Sequence, residues 1–232
     1  MTTSSHNLAD RDLRQRELVP PQRLAQCRAV VVGVGAIGRQ VALQLAAVGV
    51  ETLDLVDHDV VAVENLAAQA YWPQDLGRPK VHATADACRL VNADLQVHVH
   101  ATAFRRSSPK SIAAFHDRQR RLVLFCCVDS ITTRRLVWEA VRDRVALMLD
   151  GRMSAEVIRV LAVGEPAGDR HYDSTLFAQA QAYAGSCTAR STIYAASVAA
   201  GLMVGQFAKW LRGLPLERDL TLNLLSAELT VT

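Results

Sequence analysis

No C-x-x-C pair occurs anywhere in this chain, and its five cysteines are an odd number. The first absence argues against a paired-thiolate zinc site and the second against a disulfide framework. Reduced thiols and a cytoplasmic setting are the expectation. Strong charge is lacking too. The formal net charge is +3 and the pI about 8.7, too small a bias by itself to argue for nucleic acid. Nor is there a run of the ~20 apolar residues that a bilayer span needs. The most apolar stretch, Ile193 to Leu211, is interrupted by Ser197, Gln206 and Lys209, and its Gly201-x-x-x-Gly205 pair reads as close packing in a core or subunit interface. Met1 to Asp10 is polar, rich in Ser and Thr and without the apolar stretch of a signal peptide, so a flexible, frayed end is expected. Internal repeats and linkers are also missing, which makes residues 11–232 a single expected domain. What is present is an ordinary globular composition, 50% hydrophobic and 21% charged over 232 residues. That excludes intrinsic disorder and suffices for a full core.

The apolar pattern alternates between strand and helix. Arg28 to Gly33 (RAVVVG) reads as a buried strand, Ile37 to Val48 as a helix stopped by Gly49, and Thr52 to Asp57 (TLDLVD) as a strand ending in an acid. A helix over Pro79 to Val91, a strand over Leu95 to Ala101, a strand over Arg121 to Cys127, a helix over Ile131 to Arg144 and a short strand over Ala146 to Asp150 follow. This order implies an α/β fold, a Rossmann-like doubly wound sheet that is mostly parallel. After Gly151 the pattern changes. Glu156 to Val163 reads as a strand without a following helix, and Gly164 to Ser186 is long and weakly patterned, as functional segments often are. A long apolar helix and one or two antiparallel strands within Asp219 to Val231 complete the chain.

Gly33-Val34-Gly35-Ala36-Ile37-Gly38 joins the first strand to the first long helix. The first glycine permits a tight turn, the second lets backbone approach a phosphate, and the third allows close helix–strand packing. Asp57 lies 19 residues after Gly38, where a carboxylate can accept ribose hydroxyls. In a doubly wound sheet the ligand sits where the strand order reverses, here between the first strand and the Arg121–Cys127 strand. Asp129 is therefore expected to face the glycine loop. An acid there suits a magnesium ion bridging phosphates, or it is simply the N-cap of the helix at Ile131. Lys80 offers a point charge for phosphate, or is an ordinary solvated lysine.

Taken together, these residues resemble a known group. Gly33-Val34-Gly35-Ala36-Ile37-Gly38, then Asp57-His58-Asp59-Val60-Val61-x-Val63-x-Asn65-Leu66-x-x-Gln69, then Leu76-Gly77-Arg78-Pro79-Lys80, then Asp129 with Arg134 five residues on, are similar to the ThiF/MoeB group of ubiquitin-activating enzymes and sulfur-carrier adenylyltransferases. Arg11-Asp12-Leu13-Arg14-Gln15 resembles the R-x-x-R-Q that precedes the glycine loop in that group. The resemblance implies ATP and Mg2+ as cofactors and adenylation of the C-terminal glycine of a ubiquitin-like or sulfur-carrier protein, with release of pyrophosphate. It also implies roles: Asp57 on the ribose, Asn65, Lys80 and Arg14 on phosphates, and Asp129 on magnesium and the triphosphate, Arg14 reaching in from a partner subunit. Gly33, Gly35, Ala36, Gly38, Asp59, Gln69 and Arg78 complete the implied nucleotide-binding set. The implied partners are the carrier protein, a second copy of the chain in a homodimer and, in a conjugation system, a conjugating enzyme. Neither membrane nor nucleic acid is expected.

The chain departs from the pattern in two places. The group usually has arginine in N-L-x-R-Q, where this chain has Ala68; loss of such a clamp can cost on the order of a thousandfold, judged by arginine fingers. Arg78 and Arg134 are candidate substitutes. Many relatives also carry two C-x-x-C pairs for zinc, and no zinc is expected here.

Ser186-Cys187-Thr188-Ala189-Arg190-Ser191-Thr192 resembles the stretch around the thioester-forming cysteine of activating enzymes, although Ile193 stands where proline is usual. A helix N-terminus and Arg190 would lower the thiol pKa; the alternative is a small residue packing the helix start. Cys27, Cys88, Cys126 and Cys127 read as core. His98 and His100 share a strand face without a third ligand and read as surface residues. Tyr71-Trp72-Pro73 is either loop packing or part of a substrate surface. The rival functions are a binding half of a heterodimer, adenylation of a peptide or RNA base, and an NAD-dependent dehydrogenase.

Overall fold

The computed structural model describes residues 11–177 and 191–232. Its strands are β1 (Cys27–Val32), β2 (Thr52–Val56), β3 (Gln96–His100), β4 (Arg121–Cys126), β5 (Leu147–Ser154), β6 (Val157–Gly164), β7 (Asp219–Asn223) and β8 (Glu228–Val231). Its helices are α1 (Pro21–Leu24), α2 (Ala36–Val48), α3 (Asn65–Gln69), α4 (Lys80–Val91), α5 (Ser108–Ser111), α6 (Ile131–Val141), α7 (His171–Ser174) and α8 (Ile193–Leu211). One sheet runs in the order β3-β2-β1-β4-β5-β6-β7-β8. The neighbours from β3 to β5 are parallel and those from β5 to β8 antiparallel. The fold is therefore the α/β, Rossmann-like sheet that the alternating pattern implies, with antiparallel strands at its C-terminal side.

The valine run of β1 is explained by burial on both faces. Ala29 and Val31 enter one core with the apolar sides of α2, α4 and α8; Val30 and Val32 enter the other with α6, Phe115 and Tyr172. The strand order reverses beside β1, which pairs with β2 on one side and β4 on the other. That places the end of β1 at the switch point.

One strand is longer than its pattern suggests. β5 continues through Gly151 to Ser154 and returns as β6. Glycine weakens a strand by propensity, but here α8 lies so close that a Cβ at Gly151 would stand 2.4 Å from the Met203 sulfur. A side chain there would have to displace the Met203 thioether from its place against the sheet. No described helix is long and apolar enough to cross a membrane.

His98 is exposed as expected, but His100 is not a free surface residue. Its Nε2 lies 3.0 Å from Oδ1 of Asp54, a carboxylate with no exposure. Arg28 of β1 donates to the same group through Nε at 2.8 Å and Nη2 at 3.3 Å, and its Nη1 lies 3.5 Å from Asp117. Three strands are thus fastened on one face by a single acid. Burial pushes the Asp54 carboxyl up, but the hydrogen bonds from His100 and Arg28 outweigh it and hold it below its ordinary 3.8. A lowered carboxyl contributes stability above the unfolded-state pKa and loses it as pH falls through the folded one. Urea unfolding should therefore show stability dropping below about pH 4, and Asp54→Ala, which leaves the buried Arg28 with only its longer contact to Asp117, should cost about 3 kcal/mol at neutral pH. An unchanged urea midpoint in Asp54→Ala would overturn this assignment.

Candidate functional site

The switch-point edge is set by one backbone lying against another. At Gly33 φ is +85°, and a Cβ there would stand 2.8 Å from the Cys127 carbonyl oxygen and 3.1 Å from the Val128 nitrogen. At Gly38 a Cβ would fall 1.8 Å from the Gly33 carbonyl oxygen. Only glycine fits both places. The turn after β1 consequently rests on the chain leaving β4, and the loop bearing Asp129 leaves beside the turn that starts α2.

Val34, inside this turn, is gripped from two sides. Its N–H donates to Asp57 Oδ2 at 2.7 Å, and its carbonyl accepts from the Tyr71 hydroxyl at 2.6 Å. The other Asp57 oxygen accepts from the Asp59 N–H at 2.8 Å. An ionised carboxylate has about four lone-pair sites, so these two bonds leave Asp57 able to accept from a ligand. Tyr71 is buried, shares a hydrogen bond with the Thr84 hydroxyl at 3.0 Å, and has its phenol pKa pushed up by burial. Of the two readings of Tyr71-Trp72-Pro73, the structure gives packing for Tyr71, while Trp72 remains partly exposed.

Arg39 of α2 supports this arrangement and was not singled out by any motif. It is only 1% exposed, and its guanidinium lies 4.2 Å from the Tyr71 ring centroid and 5.4 Å from that of Trp72. Nε donates to the Ala70 carbonyl at 3.1 Å and Nη1 to the Thr84 hydroxyl at 3.3 Å. Burial lowers its pKa. The available signal was compositional: Arg39 is the one charged residue in α2.

The turn can receive an anion. Gly35 is the N-cap of α2, no side chain caps the helix, and its first turn holds no acid. The amides and the positive end of the helix dipole favour negative charge there. Above Gly35 a Cβ would meet only Gln69 Oε1, at 3.9 Å. That oxygen is the one buried side-chain polar atom without a hydrogen-bond partner among the described residues. Leaving such an acceptor unpaired costs about 1–3 kcal/mol, and an N–H or O–H of a bound molecule would satisfy it. These features fit a nucleotide with its phosphates at the start of α2.

The remaining sequence candidates fall into different environments. Asn65 is buried, and its Oδ1 accepts from the Ala62 N–H at 2.9 Å, shaping the turn into α3. The Lys80 ammonium lies 3.0 Å from Asp59 Oδ2, and with three donors it keeps others for a phosphate. Arg78 is held between Asp75 at 3.0 Å and Asp86 at 2.5 Å. Asp129 is exposed and has no hydrogen bond or ion pair among the described residues. The capping alternative belongs instead to Ser130, whose hydroxyl accepts from the Thr133 N–H at 3.3 Å. Arg134 is buried against Asp150, so neither arginine considered as a substitute at position 68 is free. Asp57, His58 and Asp59 bring potential ligand atoms within 4.8 Å of one another, but Asp57 and Asp59 already have the partners described above.

Arg14 stands apart. Its neighbours Arg11 and Gln15 bond to the Ala46 and Val48 carbonyls at the C-terminal end of α2, whereas the glycine turn is at the other end. Thirteen helical residues span about 20 Å. Arg14 itself is exposed. Cys187 lies outside the described residues. Among those described, the core reading of the cysteines holds for three: Cys27, Cys88 and Cys126 are buried, and Cys127 is only partly so. Burial raises the thiol pKa of Cys27 to about 11 and that of Cys88 to about 12, and raises Cys126 and Cys127 as well.

The model of the ThiF family matches residues 10–230. The chain belongs to the ThiF family. Among its relatives, the adenylyltransferase and sulfurtransferase MOCS3 of Mus musculus is 39% identical over 119 residues, 51% of this chain and 25% of that protein. The ubiquitin-like modifier-activating enzyme 5 of Caenorhabditis elegans is 30% identical over 146 residues, 59% of this chain and 34% of that protein. The match thus spans about a quarter to a third of these relatives' length. Among solved structures, SeMet PaaA has a TM-score of 0.75 at 17% identity, covering 100% of this chain and 84% of that one. E. coli MccB with SeMet MccA has a TM-score of 0.72 at 16% identity, covering 99% and 72%. At these identities the likeness is one of fold.

Proposed function

We propose that this ThiF-family chain is an ATP- and magnesium-dependent activating enzyme that adenylates the C-terminal glycine of a ubiquitin-like or sulfur-carrier protein. The observation that carries this reading is the uncapped glycine turn at the switch point, with the unpaired Gln69 oxygen above it, in a chain matched by the family over residues 10–230. When bound, ATP supplies an electrophilic α-phosphorus: the carrier carboxylate forms a bond to it, and the bond to the departing pyrophosphate breaks. The chain's part is to hold and neutralise these anions. The α2 N-terminus, Asn65 and Lys80 serve the phosphates, Asp57 the ribose, and Asp129 the magnesium. Residues 11–232 would act as one adenylation domain, in a cytoplasmic compartment where thiols stay reduced.

A second reading is favoured by Ala68. With Arg78 and Arg134 both committed to acids, no substitute clamp is apparent among the described residues. The chain then fits a weakly active binding half of a heterodimer. ATP–pyrophosphate exchange separates the two. The enzyme reading expects exchange that depends on a carrier ending in glycine and falls at least tenfold in Asp129→Ala, in line with loss of a preorganised electrostatic group. No exchange with the cognate carrier, alone or with a partner subunit, removes it.

The place of Arg14 supports a homodimer in which each subunit completes the other's site, because its own glycine turn lies about one helix length away. Mixing Arg14→Ala with Asp129→Ala subunits should restore exchange that neither variant shows alone. Failure to restore it in a preparation shown to exchange subunits counts against the shared site.

Cys187 is proposed as the thiolate that attacks the acyl carbon, forming a thioester and releasing AMP. The high thiol pKa values of Cys27 and Cys88 support this by leaving them poor nucleophiles at neutral pH. With ATP, magnesium and carrier, a reducible adduct should form on a non-reducing gel and vanish in Cys187→Ala. Its persistence in that variant excludes the assignment.

A further inference from the structure

Behind the Asp129 loop, two guanidinium groups and a phenol converge on one carboxylate, and none of the four has a role in the chemistry above. Asp150 of β5 has no exposure. Its Oδ1 accepts from Nη1 of Arg134; its Oδ2 accepts from Nε of Arg152 at 2.8 Å and from the Tyr172 hydroxyl at 2.9 Å. Two cations on one anion leave a net positive charge in the interior, where charge is costly unless it is paired and its donors are satisfied. The donors are indeed used. Nη2 of Arg134 donates to the Val128 carbonyl and, at 3.0 Å, to the Gly151 carbonyl. Arg152 donates to the Thr175 carbonyl at 2.9 Å and its hydroxyl at 3.0 Å.

The two forks therefore hold different things. Arg152 fastens the turn after α7. Arg134 fastens the peptide immediately before Asp129, while the residue immediately after it, Ser130, is fixed as the cap of α6. Asp129 stands between two clamped neighbours, its own carboxylate without a partner among the described residues.

We propose that Arg134 is a positioning residue for Asp129: oriented by Asp150, it fixes the Val128 carbonyl and with it the direction in which the Asp129 carboxylate faces the glycine turn. This rests on the proposed role of Asp129 toward magnesium. Lysine keeps the charge of Arg134 but not the planar fork that reaches three acceptors. Arg152 provides the internal comparison, since it shares Asp150 but does not touch the Asp129 loop.

The test uses the full chain and reads ATP affinity by equilibrium titration with and without Mg2+, the urea midpoint, and exchange with the carrier. Arg134→Lys should lose at least tenfold of the magnesium-dependent gain in ATP affinity, with magnesium-free affinity within twofold of the parent. Asp129→Asn should lose the same gain, and the double variant no more than Asp129→Asn alone. In exchange, KM for ATP should rise in step with the lost magnesium-dependent affinity, in Arg134→Lys and in Asp129→Asn alike. Arg152→Lys should lower the urea midpoint yet keep the gain. Asp150→Asn, nearly the same shape, should repeat the Arg134→Lys pattern if that variant fails to fold. Losses that multiply in the double variant, or equal losses in Arg152→Lys, overturn the proposal and leave the functional reading standing. A parent chain that binds no ATP overturns both.

Discussion

The site depends on a contact between two stretches of bare backbone. Gly33 lies against the Cys127 carbonyl, and Gly38 against the carbonyl of Gly33, at separations that no Cβ could occupy. Strand order then does the rest. β1 and β4 are neighbours although most of the first half of the chain separates them, so the glycine turn and the loop holding Asp129 leave the sheet side by side. Both faces of these strands are covered by helices, which is why their apolar runs are nearly unbroken and why the ligand-facing groups are confined to their ends.

Much of this was legible in the sequence because it rests on periodicity and on glycine. The valines of β1, the spacing of α2 and the apolar length of α8 each mark their elements within a residue or so. Even the reversal of strand order follows from the motif and the position of the Arg121–Cys127 strand. The continuation of β5 past Gly151 was not legible, because it rests on pairing with β6, which the apolar pattern of residues 146–150 does not announce. Only a packed structure shows how closely the Met203 side chain lies against that glycine.

The polar interior was legible least. Arg39, Arg134, Arg152, Asp54 and Asp150 look like ordinary surface charges in a linear reading, since burial of a charge depends on partners distant in sequence. His100 and Tyr71 illustrate the same point from the other side: an alternating strand residue binds an interior acid, and a loop aromatic holds the glycine turn. Asp129 gained by comparison. The sequence left it divided between capping and chemistry, and Ser130 takes the cap. Ala68 stays the open place in the motif, because the two arginines nearest to it in the argument are occupied.

The double hold on Val34 has a consequence for how a ligand is received. Asp57 and Tyr71 fix both polar groups of that residue through bonds within the chain, so the turn does not have to be ordered at the moment of binding. The entropy of organising those dihedrals is met during folding, and little of a ligand's interaction energy is diverted into shaping its receptor. Affinity at this turn should then reflect the contacts made, with small penalty from rearrangement. On the proposed function, a nucleotide would meet a mould that has already set.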